Sequence, residues 1–138
     1  MMPKILGIDY GEKRIGLAIA DATLKIAHPH SVIASGEKAA DEIARLIRDE
    51  GIITAVLGLP RSLSGEEGPQ AAIVRRFGEA VAKAAGIEIV FQDERFSSKI
   101  AEDILIKMDK SRSRRRDIAD AHQAAVILQT YLDSLGDG

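Results

Sequence analysis

Continuous runs of apolar residues mark the predicted strands of this 138-residue chain. The run in Lys4–Asp9 is typical of a strand that is buried on both faces. Turn-forming residues at 10–13 separate it from a second run in Arg14–Ala20, so residues 4–20 are predicted to form a β-hairpin. Three further segments are predicted as strands: residues 26–33, Ile52–Leu57 and Ile87–Phe91.

Apolar residues at helical spacing predict four helices. The first covers Gly36–Glu50 and ends at Gly51, and the second follows a loop at residues 61–69 and ends at Gly86. The third begins at Ser97 as its N-cap, and the fourth runs from about Asp117 to Asp133. The predicted apolar stripe of the second helix consists of Ile73, Phe77, Val81 and Ala84.

The order of these elements is β-β-β-α-β-α-β-α-α. Early strands joined by short turns favour antiparallel pairing, and later strands that alternate with helices favour parallel crossovers. The sequence therefore predicts an α/β fold with a mixed five-stranded sheet flanked by helices, and a single domain over residues 1–138.

Composition excludes several classes of protein. The chain has no cysteine, which excludes disulfides, thiolate zinc sites and cysteine nucleophiles. At 46% apolar and 29% charged residues it is typical of a globular protein rather than a disordered one. The apolar run near the amino terminus is too short for a signal peptide or a membrane span, so we expect a cytoplasmic protein with no membrane partner.

Charge is distributed unevenly along the chain. The formal net charge is −2, but residues 107–116 contain six basic side chains and one acidic side chain. Such a segment can grip phosphate at one place, or it can be a solvated charge run, and charge alone leaves both interpretations open.

Three carboxylates lie where a catalytic site of an α/β protein is expected. Asp9 ends a buried strand, Glu94 follows the last strand, and Asp120 shares a helical face with apolar residues and so is expected to point toward the sheet. Each also has a simpler interpretation: Asp9 as a turn residue, and Glu94 as a charge at the start of the next helix. Asp117 is interpreted as an N-cap. As a set, three carboxylates from separate elements suit Mg²⁺ and phosphodiester cleavage.

At four places the sequence resembles the YqgF family, the Holliday-junction-resolvase-like proteins that are also called pre-16S ribosomal RNA nucleases. The four motifs follow in order through nearly the whole chain: residues 7–16 (GIDYGEKRIG), 58–60 with 64–67 (GLP, SGEE), 93–98 (DERFSS) and 120–129 (DAHQAAVILQ). The resemblance implies a ribonuclease H-like fold and an acidic site of Asp9, Glu94 and Asp120. It also implies Mg²⁺ or Mn²⁺, a cytoplasmic location, and branched DNA or precursor ribosomal RNA as substrate.

Several other residues acquire roles if the resemblance holds. Tyr10 is interpreted either as stacking on a base or as packing, and the glutamates of the 58–68 loop are interpreted as solvated. His28 and His30 are expected to be surface residues rather than metal ligands. The residues expected to contact phosphate are Arg14, Lys99, Arg112, Arg114, Arg115 and Arg116. Arg14 could instead pair with a site carboxylate.

The first hypothesis is therefore a metal-dependent endonuclease that acts on structured nucleic acid as a monomer or a homodimer. The second is a nucleic-acid-binding module without catalysis, which would bind through the basic segment and show no dependence on metal. A third, an ATPase of the actin or sugar-kinase type, needs two such domains around its nucleotide, and this chain has room for one.

Overall fold

A computed structural model describes residues 3–61, 64–93 and 112–135, with the backbone alone for residues 112–118. Five strands form one sheet in the order β3-β2-β1-β4-β5. The hairpin of β1 and β2 is antiparallel, β3 pairs antiparallel with β2, and both the β1–β4 and β4–β5 pairs are parallel. The strands are β1 (Lys4–Tyr10), β2 (Arg14–Asp21), β3 (Ala27–Ala34), β4 (Ile52–Leu59) and β5 (Glu88–Asp93).

The mixed sheet confirms the predicted topology. Strands joined by short turns are the antiparallel ones, and β4 and β5 follow helices because a parallel crossover needs a long connection. Strand β1 lies at the centre of the sheet, and its residues Ile5–Ile8 are all buried because both faces of the sheet are covered there. It carries the apolar run with which the sequence begins.

Helices cover the two faces of the sheet unequally. Helix α1 (Ala39–Glu50) and helix α2 (Pro69–Ala85) pack on one face, and helix α3 (Arg112–Ser134) packs on the other. Helices α1 and α2 end at Gly51 and Gly86 in the left-handed conformation, as predicted from the sequence. Within the described part of the chain, no helix has the length and apolar character needed to cross a bilayer.

The apolar stripe of α2 differs from the prediction. Its buried positions are Ala71, Val74, Gly78 and Val81, whereas Ile73 is 38% exposed and Ala84 is exposed. Small residues face the sheet because the helix approaches it closely: a Cβ atom added at Gly78 would lie 2.8 Å from Phe91 Cζ and 3.1 Å from Leu57 Cδ2. Of the four predicted residues, Val81 is buried and Phe77 packs against the core, as predicted, whereas Ile73 and Ala84 do not face the sheet.

Helix α3 begins at Arg112, five residues before the predicted start near Asp117. The part of the basic segment from residue 112 onward is therefore helical, and the interpretation of Asp117 as an N-cap is wrong because Asp117 lies inside the helix. The predicted inward residues Ala121, Ala125, Leu128 and Leu132 are all buried. The helix predicted to begin at Ser97 lies outside the described residues.

Candidate active site

Asp9 lies at the carboxyl end of β1 on the face that α3 covers. Side chains alternate along a strand, so Asp9 shares its face with Ile5 and Gly7. Ile5 packs with residues of α3, and a Cβ atom added at Gly7 would lie 2.7 Å from Leu128 Cβ of that helix. Asp9 is half-buried and it has an electrostatic or hydrogen-bond partner.

Gly16 on β2 brings α3 to the same place. It is the register partner of Asp9, and a Cβ atom at Gly16 would overlap the carbonyl oxygen of Asp120. Paired residues of an antiparallel ladder have Cα atoms about 4.5–5.5 Å apart. No side chain separates helix and strand here, so the backbone of Asp120 lies directly against Gly16. Asp9 is the neighbour of Gly16 on the next strand and is therefore close to Asp120.

Arg14 pairs with Asp120 across this contact. Its Nε donates a hydrogen bond of 2.7 Å to Asp120 Oδ2, and the side chains are 36% and 26% exposed. A pair this exposed typically contributes about 0.2–1 kcal/mol to stability. The pair matters more for the electrostatics of the site than for stability, because it holds the guanidinium of Arg14 beside the carboxylate of Asp120. The sequence predicted Arg14 either at a phosphate or at a site carboxylate, and this structure has it at the carboxylate.

Glu94, the third predicted acidic residue, lies outside the described residues, as does Lys99. Strand β5 ends at Asp93, one residue before Glu94 in the sequence, and Gln92 pairs with Gly58 of β4. The carboxyl ends of β1, β4 and β5 meet at one edge of the sheet because these strands are parallel. Among the described residues, no three acidic or histidine side chains cluster closely enough to hold a metal ion.

The loop before α2 is fixed by charged contacts that sequence reasoning missed. Arg75 donates two hydrogen bonds to Glu67, of 2.7 and 2.8 Å, and its guanidinium lies 4.9 Å from the centre of the Phe91 ring. Arg61 lies 3.5 Å from Glu67 and 3.9 Å from Asp93. The hydrogen bonds from Arg75 lower the pKa of Glu67. Glu67 is exposed to solvent, as predicted for the loop glutamates, and its ion pair with Arg75 also joins the loop to α2.

The basic segment enters the helix that carries Asp120. Arg112 begins α3 and Asp120 lies eight residues later, about 12 Å along the axis at 1.5 Å per residue. Arg114, Arg115 and Arg116 lie within this interval, where the structure describes the backbone but not the side chains. The basic residues are therefore on the same rigid element as the acidic residue rather than on a separate loop.

Two minor predictions are settled by packing and exposure. The ring centre of Tyr10 lies 4.7 Å from that of Phe77 of α2, so Tyr10 packs against the face opposite to Asp9. His28 and His30 are exposed on β3, as predicted.

Comparison with known proteins assigns the chain to a family. The sequence profile of the RuvX family, described as "Holliday junction resolvase", matches residues 3–134. The chain belongs to the RuvX family. RuvX is also called YqgF, so the resemblance seen in the four motifs is confirmed.

Relatives in the RuvX family carry a consistent name. A protein of Chloroflexus aggregans is 40% identical over 132 residues, which cover 94% of this chain and 93% of the relative, and one of Anaeromyxobacter sp. is 42% identical over 94% and 96%. Both are named "Putative pre-16S rRNA nuclease". The RuvX chain described here is accordingly a nuclease.

Solved structures confirm the fold of this RuvX chain. It superposes on Thermus thermophilus RuvC, solved with a Holliday junction substrate, with a TM-score of 0.57 at 14% identity, covering 96% of both chains. The Fowlpox virus resolvase, solved with Holliday junction DNA, gives 0.57 at 16% identity over 97% and 99%. The ribonuclease H-like fold predicted from the motifs is therefore confirmed.

Proposed function

We propose that this nuclease is a metal-dependent endonuclease that cleaves phosphodiester bonds of structured nucleic acid. Its proposed catalytic residues are Asp9, Glu94 and Asp120. The observation that carries the proposal is the contact of Gly16 with Asp120, which brings an acidic residue of the last helix to the strand beside Asp9. Without this contact, Asp9 and Asp120 would be separate surface carboxylates.

The donor chemistry of the site fits a divalent cation. Asp9 and Asp120 supply carboxylate oxygens from two rigid elements, and Glu94 follows the strand that ends at the same sheet edge. Such oxygen ligands suit Mg²⁺ or Mn²⁺, which keep several waters when protein carboxylates hold them. When bound, the metal activates water and stabilises the leaving oxygen.

The cations around the carboxylates position the substrate in this proposal. Two carboxylates repel a phosphodiester, so a nuclease needs compensating positive charge nearby. Arg14 lies next to Asp120, and the arginines at residues 112 and 114–116 begin the same helix. Together with Lys99 they are proposed to bind phosphates, which fixes the strand without reading its sequence.

The substrate is proposed to be precursor 16S ribosomal RNA or a four-way DNA junction. The first follows the name of the relatives, and the second follows the description of the family profile. Both are branched or folded, so recognition by shape and phosphate is expected for either. The proposal carries with it a cytoplasmic, single-domain enzyme that acts as a monomer, or as a homodimer if it makes paired cuts in a junction.

A cleavage panel in Mg²⁺ and in Mn²⁺ tests this proposal. The substrates are a four-way DNA junction, a matched linear duplex, single-stranded DNA and a fragment of precursor 16S RNA. The proteins are wild type, Asp9→Asn, Asp120→Asn and, as a matched control, Asp41→Asn, whose carboxylate is exposed on α1 across the sheet. Circular dichroism and thermal unfolding establish that each variant is folded.

The expected result is metal-dependent cleavage that Asp9→Asn and Asp120→Asn abolish and Asp41→Asn leaves intact. Symmetric cuts at the junction would identify a resolvase, and cuts confined to the RNA would identify a ribosomal RNA processing enzyme. Full cleavage by both site variants would overturn the assignment of the site. Metal-independent binding with no cleavage of any substrate would favour a binding module.

A further inference from the structure

A cavity of about 580 Å³ lies on the α3 face of the sheet, between α3 and the edge strand β3. Lys13 and Arg14 come from the first sequence motif and His122 from the fourth, whereas the part of the wall on β3 lies outside all four motifs. Its wall combines apolar side chains of β3 with basic and imidazole side chains from the hairpin, β3 and α3. The lining residues that matter for its chemistry are Lys13, Arg14, Pro29, His30, Val32 and His122.

This cavity adjoins the candidate active site directly. Val32 pairs with Gly16, and Gly16 pairs with Asp9, so the three residues form one row across β3, β2 and β1. Two strand spacings separate the ends of the row, about 10 Å in all. Arg14 lines the cavity and also bonds Asp120, so the same side chain borders both.

The charge of the cavity favours phosphate. Lys13 carries positive charge, Arg14 carries a positive charge that is paired with Asp120 at the border of the cavity, and His30 and His122 present imidazole rings. None of the described residues lining the cavity is acidic. His30 Nδ1 is hydrogen-bonded to Ser31 Oγ at 2.8 Å, which restrains the ring. The lining of the cavity is therefore basic, whereas the chain as a whole has a net charge of −2.

The apolar wall is complementary to a sugar or a base. Val32 is half-buried and Pro29 is exposed, so their carbon atoms can contact a flat ligand without unfolding the strand. Concave sites of a few hundred Å³ with a mostly apolar wall and a few polar groups are typical of small-molecule and nucleotide binding. A free anion would satisfy the cations and leave this apolar wall in water.

We propose that the cavity binds the nucleotide next to the scissile phosphodiester, with its phosphate at Lys13 and Arg14 and its sugar and base along Val32 and Pro29. The inference rests on the proposed endonuclease activity and adds a binding position for the strand beyond the acidic residues. Its ligand is a nucleotide unit of a DNA or RNA strand, and paired DNA and RNA probes distinguish the two.

Binding in the absence of metal tests the cavity separately from catalysis. The probes are fluorescein-labelled 12-nucleotide single strands of DNA and of RNA, titrated in EDTA and followed by anisotropy. The variants are Lys13→Glu, on the exposed hairpin turn, and Val32→Glu, in the wall. The matched control is Lys83→Glu, which makes the same change of charge in the last turn of α2, on the other face of the sheet.

Lys13→Glu is expected to raise Kd by about tenfold or more at about 0.1 M salt, where the Debye length is about 10 Å, because it replaces a phosphate contact by a repulsive charge. Val32→Glu is expected to act similarly, and Lys83→Glu to change Kd by less than about twofold, since exposed charges beyond the Debye length are screened. Unfolding curves separate loss of binding from loss of structure, and Lys13→Glu carries the test if Val32→Glu does not fold.

The two proposals fail in different ways. If wild type cleaves its substrate while Lys13→Glu and folded Val32→Glu bind as wild type does, the strand does not occupy the cavity and only this inference is overturned. If wild type neither binds nor cleaves any nucleic acid, the proposed endonuclease function is overturned and the inference with it.

Discussion

The two faces of the sheet are built from different residues, and the α3 face carries the proposed acidic site. The face under α1 and α2 consists of large aliphatic side chains of the strands, none of them more than 1% exposed, among them Leu6, Ile8, Leu17 and Leu57. The face under α3 is built of smaller residues, among them Gly7, Gly16 and Ala18 on the strands and Ala124 on the helix.

Residue size decides what each face can hold. On the α1 and α2 face, side chains fill the gap and give stability in proportion to the apolar area they bury. On the α3 face, backbone meets backbone at Gly16, so the charged side chains next to the contact are forced together at the sheet edge. One closely packed helix therefore positions Asp120, Arg14 and Asp9, which a thicker apolar layer would separate.

Gly16→Ala gives the largest expected effect. The new methyl group would overlap the backbone carbonyl of Asp120, which cannot rotate away, so α3 must shift. We expect destabilisation of about 3 kcal/mol or more in urea unfolding, because overpacking against backbone is at the upper end of such costs. Cleavage by any folded fraction should fall by about 100-fold, since a displacement of about 1 Å at a site has that effect.

The control for this variant is Gly16→Ser, which adds a similar volume at the same place and should behave alike. Wild-type stability together with wild-type cleavage in Gly16→Ala would show that α3 does not rest on β2 backbone, and the contrast between the faces would be lost.

Gly78→Ala applies the same change to the opposite face and should have a smaller effect. The added Cβ atom would lie 2.8 Å from Phe91 Cζ and 3.1 Å from Leu57 Cδ2, which are side-chain ends that can move. Alanine also favours the helix by about 1 kcal/mol over glycine. We expect a net loss of about 1 kcal/mol in urea unfolding and unchanged cleavage. A loss of cleavage equal to that of Gly16→Ala would contradict the contrast between the two faces.

These two glycines also show what the sequence predicts and what it does not. The strand runs, the hairpin and the helix ends at Gly51 and Gly86 follow from local patterns, and the structure confirms them. The buried stripe of α2 does not, because apolar periodicity favours Ile73 as an inward residue, whereas close packing selects Gly78. Local patterns identify an amphipathic helix more reliably than they identify which side of it lies closest to the sheet.

The candidate site divides in the same manner. Strand ends suggested Asp9 and Glu94, an apolar helical face suggested Asp120, and the motif resemblance implied the same three residues. The ion pair of Arg14 with Asp120 joins positions 106 apart in sequence. The hydrogen bond from Arg75 to Glu67 joins α2 to the loop that precedes it. The first pair depends on where α3 docks, and the second depends on how the loop folds back along α2, so neither follows from a local apolar pattern.

Arg14→Gln sharpens the comparison at the site itself. Because the pair with Asp120 is partly exposed, we expect the free energy of unfolding to change by less than about 1 kcal/mol. If Asp120 is a metal ligand, as proposed, removing the competing guanidinium should tighten Mn²⁺ binding by up to about tenfold. Free Mn²⁺ measured by electron paramagnetic resonance during titration gives this affinity without reference to cleavage.

The matched control is Arg76→Gln, an exposed arginine on α2, which should leave Mn²⁺ binding unchanged. Weaker Mn²⁺ binding in Arg14→Gln would show that Arg14 supports the metal site rather than competing for its carboxylate.

Glu67→Gln gives the smallest expected effect and concerns the charged contacts at the edge of the α2 face. The pKa of Glu67 is lowered chiefly by the hydrogen bonds from Arg75, so its ionised form stabilises the folded chain. That contribution is fully present above the unfolded glutamate pKa, about 4.3, and is lost as pH falls through the lower folded value. Wild type should therefore unfold at a higher temperature than Glu67→Gln at pH 7, and the difference should shrink below about pH 4. Glu88→Gln, an exposed carboxylate at the start of β5, controls for charge. A difference that persists unchanged at pH 3 would mean that the hydrogen bonds of Glu67 hold the loop without its charge.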